Sequence, residues 1–216
     1  MKITRKILNW YARLSPKHGV SSPPYNHVVQ VGDPTLRKVS EPVPIEKIKT
    51  KEIQTLILKL RFVMNKYKSV GMSAPQIGVN MRIFVMQLNP LQLANAPQAI
   101  VKSRGMEVIP FTVFVNPTLK VLNYNKVILS EGCESVQGYT ADVPRYKEIQ
   151  ISGYNEDGNP TCNTYRDWAA RVAQHEIEHL DGKLYVDIMD RKTMSCVCWE
   201  EVNLSKGKLA IPFSPE

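Results

Sequence analysis

Residues 167–182 read DWAARVAQHEIEHLDG. Two histidines four positions apart, His175 and His179, stand one above the other on a helix, so both imidazoles reach a single ion. Glu176 lies about 80–100° further round, near enough to touch a water on that ion without ligating it. Running the same face backwards adds Val172 and Trp168, an apolar stripe, while Ile177 and Leu180 cover other faces. The spacing therefore predicts a helix over 167–181, buried nearly all round and closed by Gly182. An unpaired charge inside such a helix costs about 3–5 kcal/mol. A metal satisfies these groups; a hydrogen-bonded core network of His175, Glu176 and His179 is the structural alternative. Glu178 reads as a solvated or ion-paired carboxylate.

Working outward, Ile53, Leu56, Ile57, Leu60, Val63, Met64 and Tyr67 recur at helical spacing and predict a helix over 46–68, stopped by Gly71 and Pro75. Short β-rich runs follow at Arg82–Gln87, Thr112–Val115, Lys126–Leu129 and Glu148–Tyr154. Asp157–Gly158 is a hairpin signal, with Asn159–Tyr165 as the returning strand. Residues 88–111 read as an inserted loop. The expected fold is α+β, a single domain of short mixed β-strands packed around a buried central helix carrying HExxH, with a second amphipathic helix nearer the N-terminus.

The chain has 216 residues, enough for one domain with a real core. No apolar run reaches transmembrane length. Four cysteines are too few for a disulfide-stapled scaffold, leaving Cys162, Cys196 and Cys198 as core or surface thiols. The net charge of +8 suggests nucleic acid. Five of the basic residues precede the first acid, Asp33, so the body is only mildly basic and has no aromatic-interleaved basic patch. In residues 2–17, Ile3, Ile7, Trp10 and Leu14 share one arc and the basic residues fill the other. Residues 1–26 are expected to be a transit peptide, with a structural N-terminal helix and a membrane-surface anchor as alternatives. Residues 27–204 are expected to form the one folded domain, carrying the paired histidines, and 205–216 an irregular tail.

A tetrahedral site needs a third protein ligand and an open position. Cys133 in Glu131-Gly132-Cys133-Glu134-Ser135 is one candidate, with Gly132 allowing close backbone approach. The acidic pair Glu200–Glu201, about twenty residues past His179, is the other; it corresponds to a gluzincin-like metallopeptidase. A further segment, Gly71-Met72-Ser73-Ala74-Pro75-Gln76, has small residues suited to run beside a peptide. Its terminal amide suits a developing oxyanion, although alone it is also an ordinary helix stop and turn.

Together, Gly71–Gln76, Glu131–Ser135 and His175–His179, in this order, resemble the peptide deformylases. The resemblance covers roughly residues 28–195. It includes Gly32-Asp33-Pro34-Thr35-Leu36-Arg37, Phe114-Val115-Asn116-Pro117 and Val143-Pro144-Arg145. Ser69, Ser73, Glu134, Gln137 and Glu178 depart from the bacterial pattern. The Ser73 and Glu134 variants and the 88–111 insertion are similar to the animal mitochondrial branch.

The resemblance implies a divalent ion, Fe(II) or Zn(II) with Co(II) also suited, on Cys133, His175 and His179. It implies Glu176 as the proton-transferring carboxylate, with Gln76 and the Glu134 backbone N–H meeting the oxyanion. Gly71 and Gln76 would crowd out acyl groups larger than formyl, and Trp168, Val172 and Ile128 would line a methionine pocket. Arg145 would pair with Glu131 and steady the Cys133 loop. The implied substrates are N-formylmethionyl peptides, met near the ribosome by a soluble enzyme of the mitochondrial matrix. Glu134 motivates a rival reading, a non-catalytic binder of nascent N-termini.

Overall fold

The computed structural model describes residues 21–215. The amphipathic segment expected over residues 2–17 lies outside the described residues.

Six strands form one antiparallel sheet: β1 (Gly71–Ser73), β2 (Ile83–Leu88), β3 (Ile109–Gly132), β4 (Tyr139–Tyr154), β5 (Pro160–Arg166) and β6 (Ser195–Cys196). The first five pair in chain order, and β6 adds to β4. The α+β class holds, with the named strands all antiparallel rather than mixed. The runs expected separately at 112–115 and 126–129 belong to one strand of 24 residues. Register shifts at Val115/Thr118, Val121/Asn123 and Asn123/Lys126 break its alternation, so a period-2 reading sees two short strands. Its partner β4 likewise begins nine residues before the expected Glu148.

Among the described residues there are five α-helices: α1 (Lys51–Tyr67), α2 (Pro90–Asn95), α3 (Gln98–Arg104), α4 (Asp167–Leu180) and α5 (Trp199–Leu204). The segment 88–111, expected to be an irregular loop, holds α2 and α3. Asn89 accepts from the Gln92 backbone at 2.8 Å while Gln92 Oε1 accepts from the Asn89 backbone at 3.0 Å, a reciprocal cap that starts a helix behind Pro90. Helix α1 starts later than expected, because residues 45–47 form a separate 3-10 turn. It ends where Lys68 turns left-handed at φ 55°.

Strand β2 shows why the sheet sits where it does. Ile83 and Val85 face the α1 cluster of Leu60, Val63 and Met64. Phe84 and Met86 face the α4 cluster of Ala170, Ala173 and Ile177. Alternate side chains of a strand point to opposite faces, so an unbroken apolar run is what a strand between two helices requires. Each such side chain contributes about 1.5–3 kcal/mol on burial. The result clamps α4 against the sheet.

Candidate metal centre

Helix α4 is buried through most of its length, including Arg171, Gln174, Glu176 and His179. The His175 and His179 rings lie 4.9 Å apart at 80° to one another. Cys133 follows the last residue of β3 and opens the tight connection to β4, where Val136 N–H donates to the Cys133 carbonyl at 2.9 Å. That connection projects over α4. Cys133 Sγ comes to 3.3 Å from His179 Nε2. One ligand atom from each of Cys133, His175 and His179 falls within 4.8 Å of the others. Glu200 and Glu201 lie exposed on α5.

Behind the three donors sits a buried polar network. Glu131 receives Arg145 Nε at 2.9 Å and Arg145 Nη2 at 2.8 Å. Arg171 Nη1 reaches its Oε1 at 2.5 Å, and His175 Nδ1 lies 3.1 Å from its Oε2. Arg145 also pairs with Glu178 at 2.5 Å, so Glu178 is an ion-paired carboxylate. Burial alone would raise the Glu131 pKa; hydrogen bonds from Arg145 and His175 overcome it and hold the carboxyl far below its usual range. For His175, burial works against the charged form, but Cys133 and Glu131 beside it leave the pKa well above normal. Burial, reinforced by His175 and Arg145, pushes His179 well below normal.

Glu176 is buried, and burial pushes its carboxyl up to about 7 against the pull of His175, Ser73 and Arg145. Its Oε2 has no partner. Gly71 packs directly on it: a Cβ at position 71 would stand 2.8 Å from Glu176 Cδ and 2.9 Å from Cγ. The glycine thus makes room for the carboxylate. The Gln76 amide is oriented by its oxygen, which accepts from Ser73 N at 2.9 Å and Ser73 Oγ at 3.0 Å. That turns Nε2 toward Cys133 Sγ, 3.8 Å away. Glu134 shares the cleft, with its pKa raised by burial.

These groups meet in a cleft of about 440 Å³. Trp168 and Val172 line it as expected. Ile128 does not: it is exposed on β3. Three contributors were not legible in the sequence. Arg171 anchors Glu131 and donates to the Val127 and Val143 carbonyls at 2.7 and 2.9 Å; an arginine among the apolar residues of α4 was the available signal. Gln30 braces the Cys133 turn, donating to the Glu134 carbonyl at 2.8 Å and accepting from Gln137 N at 3.2 Å. Tyr185 stacks on His175 at 6.5 Å.

The Cys133 thiol, the His175 imidazole and the Glu176 carboxylate open on one cleft, with the His179 imidazole buried behind them, a donor set that could hold a metal ion beside a carboxylate. The profile of the polypeptide deformylase family matches residues 25–195. The chain belongs to the polypeptide deformylase family. It is 43% identical over 185 residues to the mitochondrial peptide deformylase of Homo sapiens, covering 86% of this chain and 76% of that one. It is 34% identical to chloroplastic peptide deformylase 1A of Solanum lycopersicum, covering 92% and 70%. Its structure is similar to the Synechococcus elongatus peptide deformylase in complex with actinonin, with a TM-score of 0.65, 26% identity and coverage of 94% and 96%. As a peptide deformylase, the enzyme hydrolyses the formyl group from N-terminal formyl-methionine. No helix among the described residues is long and apolar enough to cross a membrane.

The donors fit the metal dependence of a deformylase. The His175 Nδ1 contact with Glu131 leaves Nε2 for an ion. Sulfur and nitrogen donors suit Zn(II), Fe(II) and Co(II) alike.

Proposed function

We propose that Cys133, His175 and His179 hold one divalent ion, Fe(II) or Zn(II), and that Glu176, Gln76, Glu134 and Gly71 complete a deformylase site around it. The observation that carries this reading is the approach of Cys133 Sγ to His179 Nε2 at 3.3 Å, from elements 46 residues apart in the chain. A cation bound there supplies Lewis acidity, making water nucleophilic near neutral pH.

Glu176 takes the proton from the attacking water and delivers it to the departing amine. Its position suits that work, being buried, with Oε2 unpartnered among the described residues, and lining the cleft. Gln76 Nε2 and the Glu134 backbone N–H meet the formyl oxygen as it gains charge, each such donor being worth about 3–4 kcal/mol of barrier. Ser73 holds the Gln76 amide in the orientation this needs. Gly71 acts by leaving Glu176 its place. Val172, one turn before His175, offers the methionine side chain an apolar wall.

The enzyme then works as a soluble protein of the mitochondrial matrix, close to the ribosome. Residues 1–26 serve as the import segment, 27–204 as the catalytic domain and 205–216 as a tail. Likeness to the human mitochondrial enzyme and the basic, acid-free N-terminal segment support this reading. Formate release from formyl-Met-Ala-Ser by anaerobically purified, metal-replete protein tests the site. Turnover that survives Glu176→Ala would contradict the assignment.

A further inference from the structure

The inserted segment does more than fill the 88–111 connection. Helix α3 ends at Arg104, and Gly105 behind it turns left-handed at φ 57°. A Cβ at Gly105 would lie 2.9 Å from Asp167 Cβ, so the insert docks closely on the first residue of α4. This seats the Arg104 guanidinium over the Trp168 ring, 5.0 Å from its centroid. Arg104 Nη1 also donates to the Ser130 carbonyl of β3 at 3.4 Å. Stacking leaves the donor edge of a guanidinium available. Arg104 forms no ion pair among the described residues, and it lines the cleft.

Position along α4 indicates which part of a peptide this arginine meets. Trp168 precedes His175 by two helical turns, a rise of about 10 Å. An extended peptide advances about 3.3–3.6 Å per residue, so that distance spans about three residues. The charges along the cleft are arranged unevenly. Glu134 and Glu176 adjoin the metal ligands, and Glu131 is engaged by Arg145 and Arg171. Lys68, exposed at the left-handed end of α1, adds a second cation to the lining without an ion pair among the described residues.

We propose that Arg104, assisted by Lys68, is a specificity-determining residue that favours formyl-methionyl peptides with an acidic side chain at the second or third position. The proposal rests on the deformylase reading of the same cleft. Arg104 acts on the peptide downstream of the bond that is cleaved.

The test compares formyl-Met-Ala-Asp and formyl-Met-Ala-Lys, and the pair formyl-Met-Asp-Ser and formyl-Met-Lys-Ser, all amidated at the C-terminus. The wild-type enzyme is expected to favour the aspartate peptide of at least one pair by about fivefold in kcat/KM, the scale of one exposed ion pair. The difference should appear in KM and shrink in high salt. Arg104→Glu should invert the preference and Arg104→Gln abolish it. Each ratio is taken within one enzyme, so a general loss of activity cancels. An aspartate-to-lysine ratio that is the same in wild type, Arg104→Gln and Arg104→Glu overturns the proposal. Failure of the wild type to release formate from any peptide would instead count against the activity itself.

Discussion

Glu131 Oε2 lies 3.1 Å from His175 Nδ1, while Arg145 and Arg171 hold the rest of the same carboxylate. One buried acid thus fixes the tautomer of a candidate ligand, ties the end of β3 to α4 and pairs with two buried guanidinium groups. Ligand imidazoles depend on such partners for orientation and basicity.

Glu131→Gln should therefore weaken metal affinity by about 10–100-fold. It should also cost about 3–5 kcal/mol of stability, because Arg171 is left buried without its counter-charge while Arg145 keeps only Glu178. Chelator competition and thermal unfolding of the apo-protein measure the two effects separately.

The same carboxylate sets a pH dependence. Its folded pKa is depressed below the ordinary 4.5, so the unfolded chain binds the extra proton first on acidification. Its stabilisation is present in full above that ordinary value and is lost as pH falls toward the folded pKa. Stability of the wild type measured by circular dichroism should fall across this acid range more steeply than that of Glu131→Gln.

Gly71→Ala tests the closeness of strand and carboxylate. The added methyl collides with Glu176, which must move. A displacement of this kind costs about 10²-fold in turnover. Metal content should stay at one ion per chain, because the ligands do not touch Gly71.

Glu176→Gln should retain the ion and lose about 10²–10⁴-fold in turnover, the usual contribution of proton transfer by a positioned side chain. Elemental analysis and formate release on the same preparation separate a lost base from a lost metal.

Much of this site was legible in the sequence because its information is local. The spacing of His175 and His179 fixes a shared helix face, and the apolar residues around them predict burial. Gln76 was legible from Pro75 and the small residues before it. What stayed hidden depends on contacts between distant segments. The role of Gly71 lies in a side chain more than a hundred positions away, and the burial of Arg171 depends on carbonyls of β3 and β4. The length of β3 was obscured by its own register shifts. Helix α2 was signalled by Asn89-Pro90 and Gln92, a capping pattern hidden among residues that also suit a loop, whereas α3 starts without a side-chain cap. Arg145 and Glu131, paired by resemblance, meet through their positions on neighbouring antiparallel strands.

The competing ligand sets make different demands. Cys133→Ala should lower bound metal sharply, whereas Glu200→Ala and Glu201→Ala should leave it unchanged, since both acids are exposed on α5. The reverse pattern would favour a peptidase-like site.

X-ray absorption at the metal edge of the zinc-loaded enzyme addresses the centre most directly. The account predicts a single sulfur at about 2.3 Å and two imidazole nitrogens at about 2.0–2.1 Å, with the sulfur shell absent in Cys133→Ala. A spectrum of the wild type with nitrogen and oxygen neighbours and no sulfur would contradict it.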